Sequence, residues 1–325
     1  MCASPGSTLV AEPKLAVAYG EELLSYDFGE GHPMRSERVE VFFRRIREAG
    51  LLGDPKVKAI RPRAATLEEL LLFHRPSYVR RVREQSETGV GLLDDEDTPA
   101  FKGVFEAASY VVGTTLECLK ESLSGGIYAF NPMGGLHHAR RDRAAGFCVF
   151  NDVCVAIEYS RKRAGLRRIL YVDLDAHHGD GVMYEYYHDK DVRILDFHED
   201  GRHLYPGTGF EHETGGSGAE GSKFNVVLQP GSTDRQFRDG LARAARFLSE
   251  SDPELVILQA GADCMAGDPI ADLSLSEGAH RLATRVLREI ADQCAGGRLI
   301  ALGGGGYNPT NTSSAWLSVL NALLA

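Results

Sequence analysis

The fold is decided by one stretch of sequence, Ile169-Leu-Tyr-Val-Asp173-Leu-Asp175-Ala-His177-His178-Gly-Asp180-Gly181. Its first four residues are apolar, and the residues that follow include three aspartates and two histidines. An apolar run that ends abruptly in polar side chains is typical of a central parallel strand whose carboxyl end opens into a site. Because ligands bind outside the carboxyl ends of the strands in open α/β sheets, we expect the functional site at this end.

Two side chains of this stretch have the spacing of metal ligands. Asp175 and His177 lie two positions apart, so on an extended backbone both point to the same face of the strand and could hold one metal ion. Asp173 and Asp180 are then left to orient other groups. Taken alone the pair is weak evidence, since polar residues at strand ends often only bond to each other.

The rest of the chain repeats the alternation of strand and helix. Further apolar runs predict strands at 15–19, 57–60, 127–130, 192–197, 224–228, from residue 255, and at 299–302. Capped or amphipathic helices are predicted between them. Such alternation predicts an α/β fold with a mostly parallel sheet covered by helices on both faces. We expect a loose N-terminal tail at 1–13 and one domain at 14–325.

Composition excludes several classes of protein. The net charge is −10, and the basic residues form no stripe, so we expect no direct binding of nucleic acid. The six cysteines include no C-x-x-C pair, which suits a reducing cytoplasm without disulfides. No apolar leader and no run of 18 apolar residues is present, so we expect a cytoplasmic protein with no membrane partner. The oligomeric state stays open.

Polar residues also follow three other predicted strands. His137 and His138 come after the strand at 127–130, Asp263 ends the run from 255, and Tyr307 follows four glycines at 303–306. Paired histidines in a loop are as often surface residues as functional ones. In a parallel sheet, however, the carboxyl ends of the strands share one edge, so we expect these side chains to converge with the aspartates of the opening stretch.

Together these residues predict metal-assisted hydrolysis of an amide. Asp175, His177 and Asp263 offer three ligands of O, N and O type and leave positions open for water and substrate, which suits zinc or ferrous iron. The water needs a base, and either of the tandem histidines could serve, each oriented by an aspartate. Tyr307 could donate a hydrogen bond to the developing oxyanion.

Six segments, in order along the chain, resemble the histone deacetylase superfamily of zinc-dependent deacetylases. They are GGLHHA (134–139), GFCVFND (146–152), VDLDAHHGDGV (172–182), PGTGF (206–210), QAGADCMAGDP (259–269) and LGGGGYN (302–308). The segment GHPMRSER (31–38) is similar to the bacterial acetoin-utilisation branch. The resemblance implies an arginase-deacetylase fold with an eight-stranded parallel sheet, and an enzyme that removes acetyl, or other acyl, groups from Nε-acyl-lysine.

The resemblance also assigns roles to the residues that match its motifs. The metal ligands would be Asp175, His177 and Asp263. His138 would be the general base and acid and His137 its electrostatic partner, supported by Asp180 and Asp173 respectively. Tyr307 would polarise the acyl carbonyl.

Further assignments concern the substrate tunnel and two additional sites. Phe147 and Tyr205 would form the tunnel walls, and Gly146 and Ile270 would contact the substrate. Asp97, in the acidic loop at 92–99, would bind the substrate backbone at the rim of the tunnel. The main-chain carbonyls of Asp173, Asp175, His177 and Phe197, with Asp196 nearby, would hold a structural potassium ion. Arg38, Gly304 and Gly306 would line an inner channel for acetate.

Two positions depart from the usual pattern of that family. Tyr205 stands where the second tunnel wall is usually Phe, and its hydroxyl needs a partner. Asp196 stands where a small polar residue is common near the potassium site.

Three rival functions were compared with the sequence. A binuclear ureohydrolase of the same fold needs carboxylates where this chain has Gly179 and Met265, which argues for one catalytic metal. An acetylpolyamine deacetylase is the alternative; such enzymes usually narrow the tunnel with insertions or an acidic gatekeeper, and we identify no such device. A non-catalytic scaffold is disfavoured because every catalytic position is filled. We expect an acyl-lysine protein or peptide, or an acetylated small amine, as substrate.

Overall fold

The computed structural model describes residues 12–94 and 96–325. Its strands are β1 (Leu15–Ala18), β2 (Val57–Ile60), β3 (Tyr128–Asn131), β4 (Ile169–Asp173), β5 (Val192–Glu199), β6 (Lys223–Leu228), β7 (Leu255–Gln259) and β8 (Leu299–Leu302). They form one sheet in the order β2-β1-β3-β8-β7-β4-β5-β6, and every adjacent pair is parallel. The predicted fold class is confirmed. Residues 1–11 of the predicted tail and Asp95 lie outside the described residues, and the division into tail and domain stays a prediction.

Helices connect the strands. They are α1 (Glu37–Glu48), α2 (Leu67–Leu70), α3 (Pro76–Thr88), α4 (Val104–Leu123), α5 (Asp152–Ala164), α6 (Asp180–Glu185), α7 (Asp234–Arg243), α8 (Ala245–Ser249), α9 (Glu277–Cys294) and α10 (Pro309–Leu324), with short 3₁₀ turns at Glu21–Ser25 and Leu51–Gly53. Helix α4 begins directly after Gly103, which has a left-handed φ of 89° that cannot belong to a helix. Helices α7 and α8 follow each other directly and meet at Ala244.

The sheet places its central strands where the sequence is most apolar. Every residue of β4, β7 and β8 is buried, as expected for strands covered on both faces. In the register of the sheet, Asp173 at the end of β4 lies between Gln259 of β7 and Asp196 of β5. The carboxyl ends of β3, β8, β7 and β4 therefore lie side by side at one edge.

Two groups of helices cover the sheet. The first group is centred on α4, which contacts β3 and β8 and packs against α2, α3 and α5. The second group is centred on α10, which packs against α1 and α9, and α9 contacts β7 and β8. None of the helices in the described ranges combines the length and the apolar character needed to cross a bilayer. The five cysteines in these ranges are free thiols, and all but Cys294 are buried.

Trp316 ties helix α10 to the sheet. Its fully buried indole N–H donates to the carbonyl of Ala260 at 3.2 Å and to that of Gly303 at 3.0 Å. These carbonyls directly follow β7 and β8. The tryptophan thus fixes the beginnings of the two loops that carry Asp263 and Tyr307.

Candidate active site

Three buried ligand atoms converge at the carboxyl edge of the sheet. Atoms offered by Asp175, His177 and Asp263 all lie within 4.8 Å of one another. His177 Nδ1 is 3.0 Å from Asp175 Oδ1 and 3.1 Å from Asp263 Oδ2. Nowhere else in the part of the chain that the structure describes do three His, Cys, Asp or Glu side chains converge in this way.

The surrounding protein fixes the far side of each carboxylate. Asp175 Oδ2 accepts hydrogen bonds from the side-chain amide of Gln259 and the backbone N–H of Gly305, both at 2.7 Å. Asp263 Oδ1 accepts from the backbone N–H of Ala176 at 2.7 Å. The remaining oxygen of each carboxylate is directed to the histidine nitrogen, so the three potential ligand atoms are held close together by the protein itself.

The charge of this triad fits a divalent cation. Burial opposes a charge on His177, but hydrogen bonds to Asp175 and Asp263 outweigh it and raise the pKa of the imidazole to about 10 when no metal is present. Two carboxylates and an imidazole that attract positive charge in a buried pocket match the O, N, O donor sets of catalytic zinc and ferrous sites. The residues present therefore fit such an ion.

His137 and Asp173 form the first of two histidine–aspartate pairs beside the triad. His137 Nδ1 is 2.7 Å from Asp173 Oδ2, and the hydroxyl of Tyr171 donates to the same oxygen at 2.5 Å. Burial disfavours protonation of His137, but Asp173 and Asp175 outweigh it and raise the pKa to about 10. This histidine is therefore cationic at neutral pH.

The second pair, His138 and Asp180, has the opposite protonation. His138 Nδ1 is 2.7 Å from Asp180 Oδ1, while Arg140 donates to Asp180 Oδ2 at 2.5 Å. Burial, followed by the positive charge of His137, lowers the pKa of His138 to about 4 despite the pull of Asp180. The Nε2 atoms of the two histidines lie 3.1 Å apart. A neutral imidazole next to a cationic one can accept a proton while its neighbour stabilises negative charge.

Tyr307 is held opposite the histidines as a proton donor. Burial, and then the charges of Asp263 and Asp175, raise the pKa of its hydroxyl well above the usual value. Its backbone N–H donates to Asp268 Oδ2 at 2.8 Å, which fixes the loop after the four glycines. The phenol therefore stays protonated at neutral pH.

A narrow cavity of about 110 Å³ leads to these groups. Its lining consists of residues that the sequence predicted as catalytic, ligating or substrate-binding: Asp97, His138, Gly146, Phe147, His177, Tyr205, Ile270 and Tyr307. Phe147 and Tyr205 form aromatic walls, and the Tyr205 ring lies 5.1 Å from that of His138. The structure thus brings the predicted tunnel residues together around one opening.

Arg38, Gly304 and Gly306 also meet, but without an open channel. The buried guanidinium of Arg38 donates to the carbonyl of Gly304 and, at 3.2 Å, to that of Gly306. Its Nε finds no acceptor among the described residues. The neighbouring inner cavity, which Gly304 lines, measures about 10 Å³, the room of about one water molecule. Passage of acetate along this path would require side chains to move.

The surroundings of Asp196 leave the potassium site a prediction. Asp196 Oδ2 accepts from the backbone N–H of Gly179 at 2.9 Å, and Oδ1 is 2.7 Å from His198 Nδ1. Both carboxylate oxygens are thus engaged by protein groups. His178, the other histidine of the opening stretch, lies with its Nδ1 2.8 Å from the hydroxyl of Thr208.

Several supporting residues were not identified from the sequence. Gln259 and Tyr171 each bond a predicted site carboxylate, Arg140 bonds Asp180, and Asp268 holds Tyr307. A signal existed for Gln259, which is a polar residue ending an apolar strand, as Asp173 is. Arg140 and Asp268 lie in loops whose partners are distant in sequence, and no local pattern singles them out.

The chain is similar to known proteins over most of its length. The family model described as "Histone deacetylase domain" matches residues 32–323. The acetoin utilization protein AcuC of Bacillus subtilis (strain 168) is 37% identical over 318 residues, which cover 93% of this chain and 81% of the relative. AcuC of Staphylococcus aureus (strain MSSA476) is 31% identical over 322 residues, or 95% of this chain and 82% of the relative. The crystal structure of the HDA15 HD domain superposes with a TM-score of 0.86 at 28% identity, covering 96% of this chain and 90% of that chain.

Proposed function

The chain belongs to the histone deacetylase family and is a deacetylase, and from that premise we propose that it removes acetyl groups from Nε-acetyl-lysine with the help of one bound divalent metal ion. One observation carries the proposal. A narrow cavity with aromatic walls ends at the buried Asp175–His177–Asp263 triad, directly beside a neutral histidine and a protonated tyrosine. A cavity of about 110 Å³ with aromatic walls suits an unbranched alkyl stem with an amide at its tip.

Asp175, His177 and Asp263 would hold the metal ion, for which zinc and ferrous iron are the candidates. When bound, such an ion supplies Lewis-acid chemistry: it polarises the acyl carbonyl and lowers the pKa of water. The buried, pre-oriented carboxylates described above favour one ion at this position. Gly179 and Met265 provide no carboxylate for a second.

The chain's own residues would carry the proton transfers. His138, neutral and held through Nδ1 by Asp180, takes a proton from the attacking water at Nε2 and later gives it to the leaving amine nitrogen. His137 stays cationic and stabilises the negative charge that builds up on the substrate. Tyr307 donates its hydroxyl proton as a hydrogen bond to the carbonyl oxygen. The C–N bond breaks, and the products are acetate and a free amine.

The acidic loop at the rim of the cavity also suits a second class of substrate, the acetylated polyamines. Asp94, Glu96 and Asp97 place carboxylates in the acidic loop, and carboxylates would also attract the free ammonium groups of an acetylated polyamine. The aromatic walls do not distinguish the two substrates. Acetylpolyamine deacetylation is therefore the alternative form of this proposal.

The test is a panel of purified protein against matched amides. Protein stripped with a chelator and reloaded with zinc or ferrous iron is assayed on acetyl-lysine peptides, longer acyl-lysines and acetylated polyamines, with a hydroxamate as inhibition control. We expect turnover of acetyl-lysine peptides that is lost on chelation and restored by metal. Turnover confined to acetylated polyamines would select the alternative, and metal-independent turnover would refute the mechanism.

A further inference from the structure

Three separate segments form the mouth of the cavity. We call them the first loop (26–34), the acidic loop (92–99) and the wall turn (145–149), which carries Phe147. Asp97 and Phe147 line the cavity. The first loop contributes no residue to the lining, yet it contacts both other segments through one side chain, His32.

His32 makes a hydrogen bond through each ring nitrogen. Its Nδ1 accepts from the backbone N–H of Met34 at 3.0 Å, so in the neutral ring the proton lies on Nε2. That nitrogen is 3.3 Å from the backbone carbonyl of Asp97, to which it donates. Burial lowers the pKa of His32, which keeps the ring in this neutral form at pH 7. His32 thus links the backbone of the first loop to the backbone of the acidic loop.

The same ring also packs behind the aromatic wall. His32 stacks on Phe28 with ring centres 4.6 Å apart and meets Phe147 edge-on at 4.6 Å. Phe147 itself lines the cavity, and the centre of its ring lies 6.0 Å from that of the Tyr307 ring. His32 therefore lies one layer behind the surface that the substrate would touch.

Phe147 is a residue that needs such support. Its φ of 66° is left-handed, which is a strained conformation for a bulky side chain. The hydroxyl of Tyr26 donates to its carbonyl at 2.6 Å, and its N–H donates to Thr98 Oγ1 at 3.1 Å. The first loop and the acidic loop thus both hold the wall, and His32 joins the two loops to each other.

We propose that His32 is a positioning residue for substrate binding, which fixes Asp97 and the Phe147 wall at the mouth without touching the substrate or the reacting atoms. This inference rests on the proposed function. It predicts that loss of the His32 hydrogen bonds weakens the binding of peptides, which reach Asp97, and leaves the chemical step unchanged. A small acetylated amine has no peptide backbone for Asp97 to hold and is affected less.

The test is His32→Phe, which keeps the aromatic packing and removes both hydrogen bonds. His212→Phe is the matched control, because His212 stacks on Phe210 with an interplanar angle of 3° but makes no side-chain hydrogen bond to the described residues. For His32→Phe we expect KM for an acetyl-lysine peptide to rise about 3- to 10-fold, the worth of one or two hydrogen bonds, with kcat within about twofold of wild type. The control is expected to leave both constants unchanged.

Two further variants separate positioning from folding. His32→Asn retains an acceptor for the Met34 N–H but cannot reach Asp97, so it should raise KM as His32→Phe does while preserving the melting temperature. In an Asp97→Ala background, His32→Phe should add less than about twofold to KM, because the group that it positions is gone. Additive losses, or a fall in kcat on every substrate, would show a merely structural role.

The outcomes also separate this inference from the proposed function. If the wild-type protein loaded with metal hydrolyses no acetyl-lysine peptide, the proposed function fails and the inference fails with it. If the wild type is active and a folded His32→Phe variant keeps the wild-type KM, only the inference is refuted.

Discussion

The floor of the cavity and its mouth are built in different ways. The floor, made of His137, His138, Asp175, His177 and Asp263, lies in the segments that follow the central strands β3, β4 and β7, and none of these residues is more than 7% exposed. The mouth stands on three loops and includes the exposed Asp97 and the half-buried His32. The sheet thus fixes the groups that perform the chemistry, while loops hold the groups that receive the substrate. We therefore expect changes in the floor to alter kcat and changes in the mouth to alter KM.

The largest effect is expected at the metal ligands. Asp263→Ala removes one of three ligands and leaves Ala176 without its acceptor, so the protein should lose its metal and about 10³-fold or more in kcat. Elemental analysis after dialysis measures the metal and steady-state kinetics the rate. Asp239→Ala, at an exposed carboxylate on α7, is the control and should retain both. A full complement of zinc in Asp263→Ala would contradict the ligand assignment.

The next effect separates chemistry from metal binding within the floor. His138→Ala should lower kcat at least about 10²-fold, the usual contribution of acid–base catalysis, while KM and metal content stay close to wild type. The measurement is single-substrate kinetics on an acetyl-lysine peptide at matched metal loading. An undiminished kcat would remove His138 from the mechanism, and a large rise in KM would break the division between floor and mouth.

At the mouth the prediction is reversed. Asp97→Ala should raise KM for acetyl-lysine peptides about tenfold, because hydrogen bonds to a carboxylate are lost, with kcat nearly unchanged. Acetylspermidine, which has no peptide backbone, should be affected less. Comparison of the two substrates under identical conditions provides the measurement. Equal losses on both, or a loss confined to kcat, would contradict a backbone-gripping role.

The smallest effect concerns the pH profile of the floor. Arg140 pairs with Asp180, and Arg140→Gln should make that carboxylate a stronger acceptor and so raise the pKa of His138. Since His138 must be neutral to act as a base, activity is lost as pH falls through its pKa. A higher pKa therefore moves the acid limb of kcat/KM upward, by about one pH unit or less. Arg141→Gln is the matched control, because Arg141 pairs with Glu185 instead. An identical limb in both variants would refute the link.

The same division explains what the sequence could predict. The strands were readable because apolar runs of four to eight residues ended in polar side chains, and the parallel order of the sheet then placed those ends together. The eight-stranded α/β fold was predicted and is confirmed. Asp175, His177, Asp263 and Tyr307 were located by the same reasoning, and the structure brings them together, although their chemical roles stay predictions.

The contacts between loops could not be predicted from the sequence, for a physical reason. His32 and Asp97 are 65 residues apart, and their contact depends on backbone turns that no local pattern specifies. Ser36 is a second, more local example of a contact that the sequence pattern does not specify. It directly precedes α1, but its hydroxyl donates to Glu40 instead of capping the helix, because its backbone is already helical, with φ −63° and ψ −26°, whereas a capping residue has an extended backbone.

The position of β8 has a consequence for how the protein is made. This strand is the last in the chain, yet it lies in the middle of the sheet, between β3 and β7. While the ribosome is still producing the chain, β2-β1-β3 and β7-β4-β5-β6 have no strand to join them. The same late segment brings Gly305, whose N–H holds Asp175, and Tyr307. A nascent chain therefore cannot assemble the active site until the segment through Tyr307 has been synthesised.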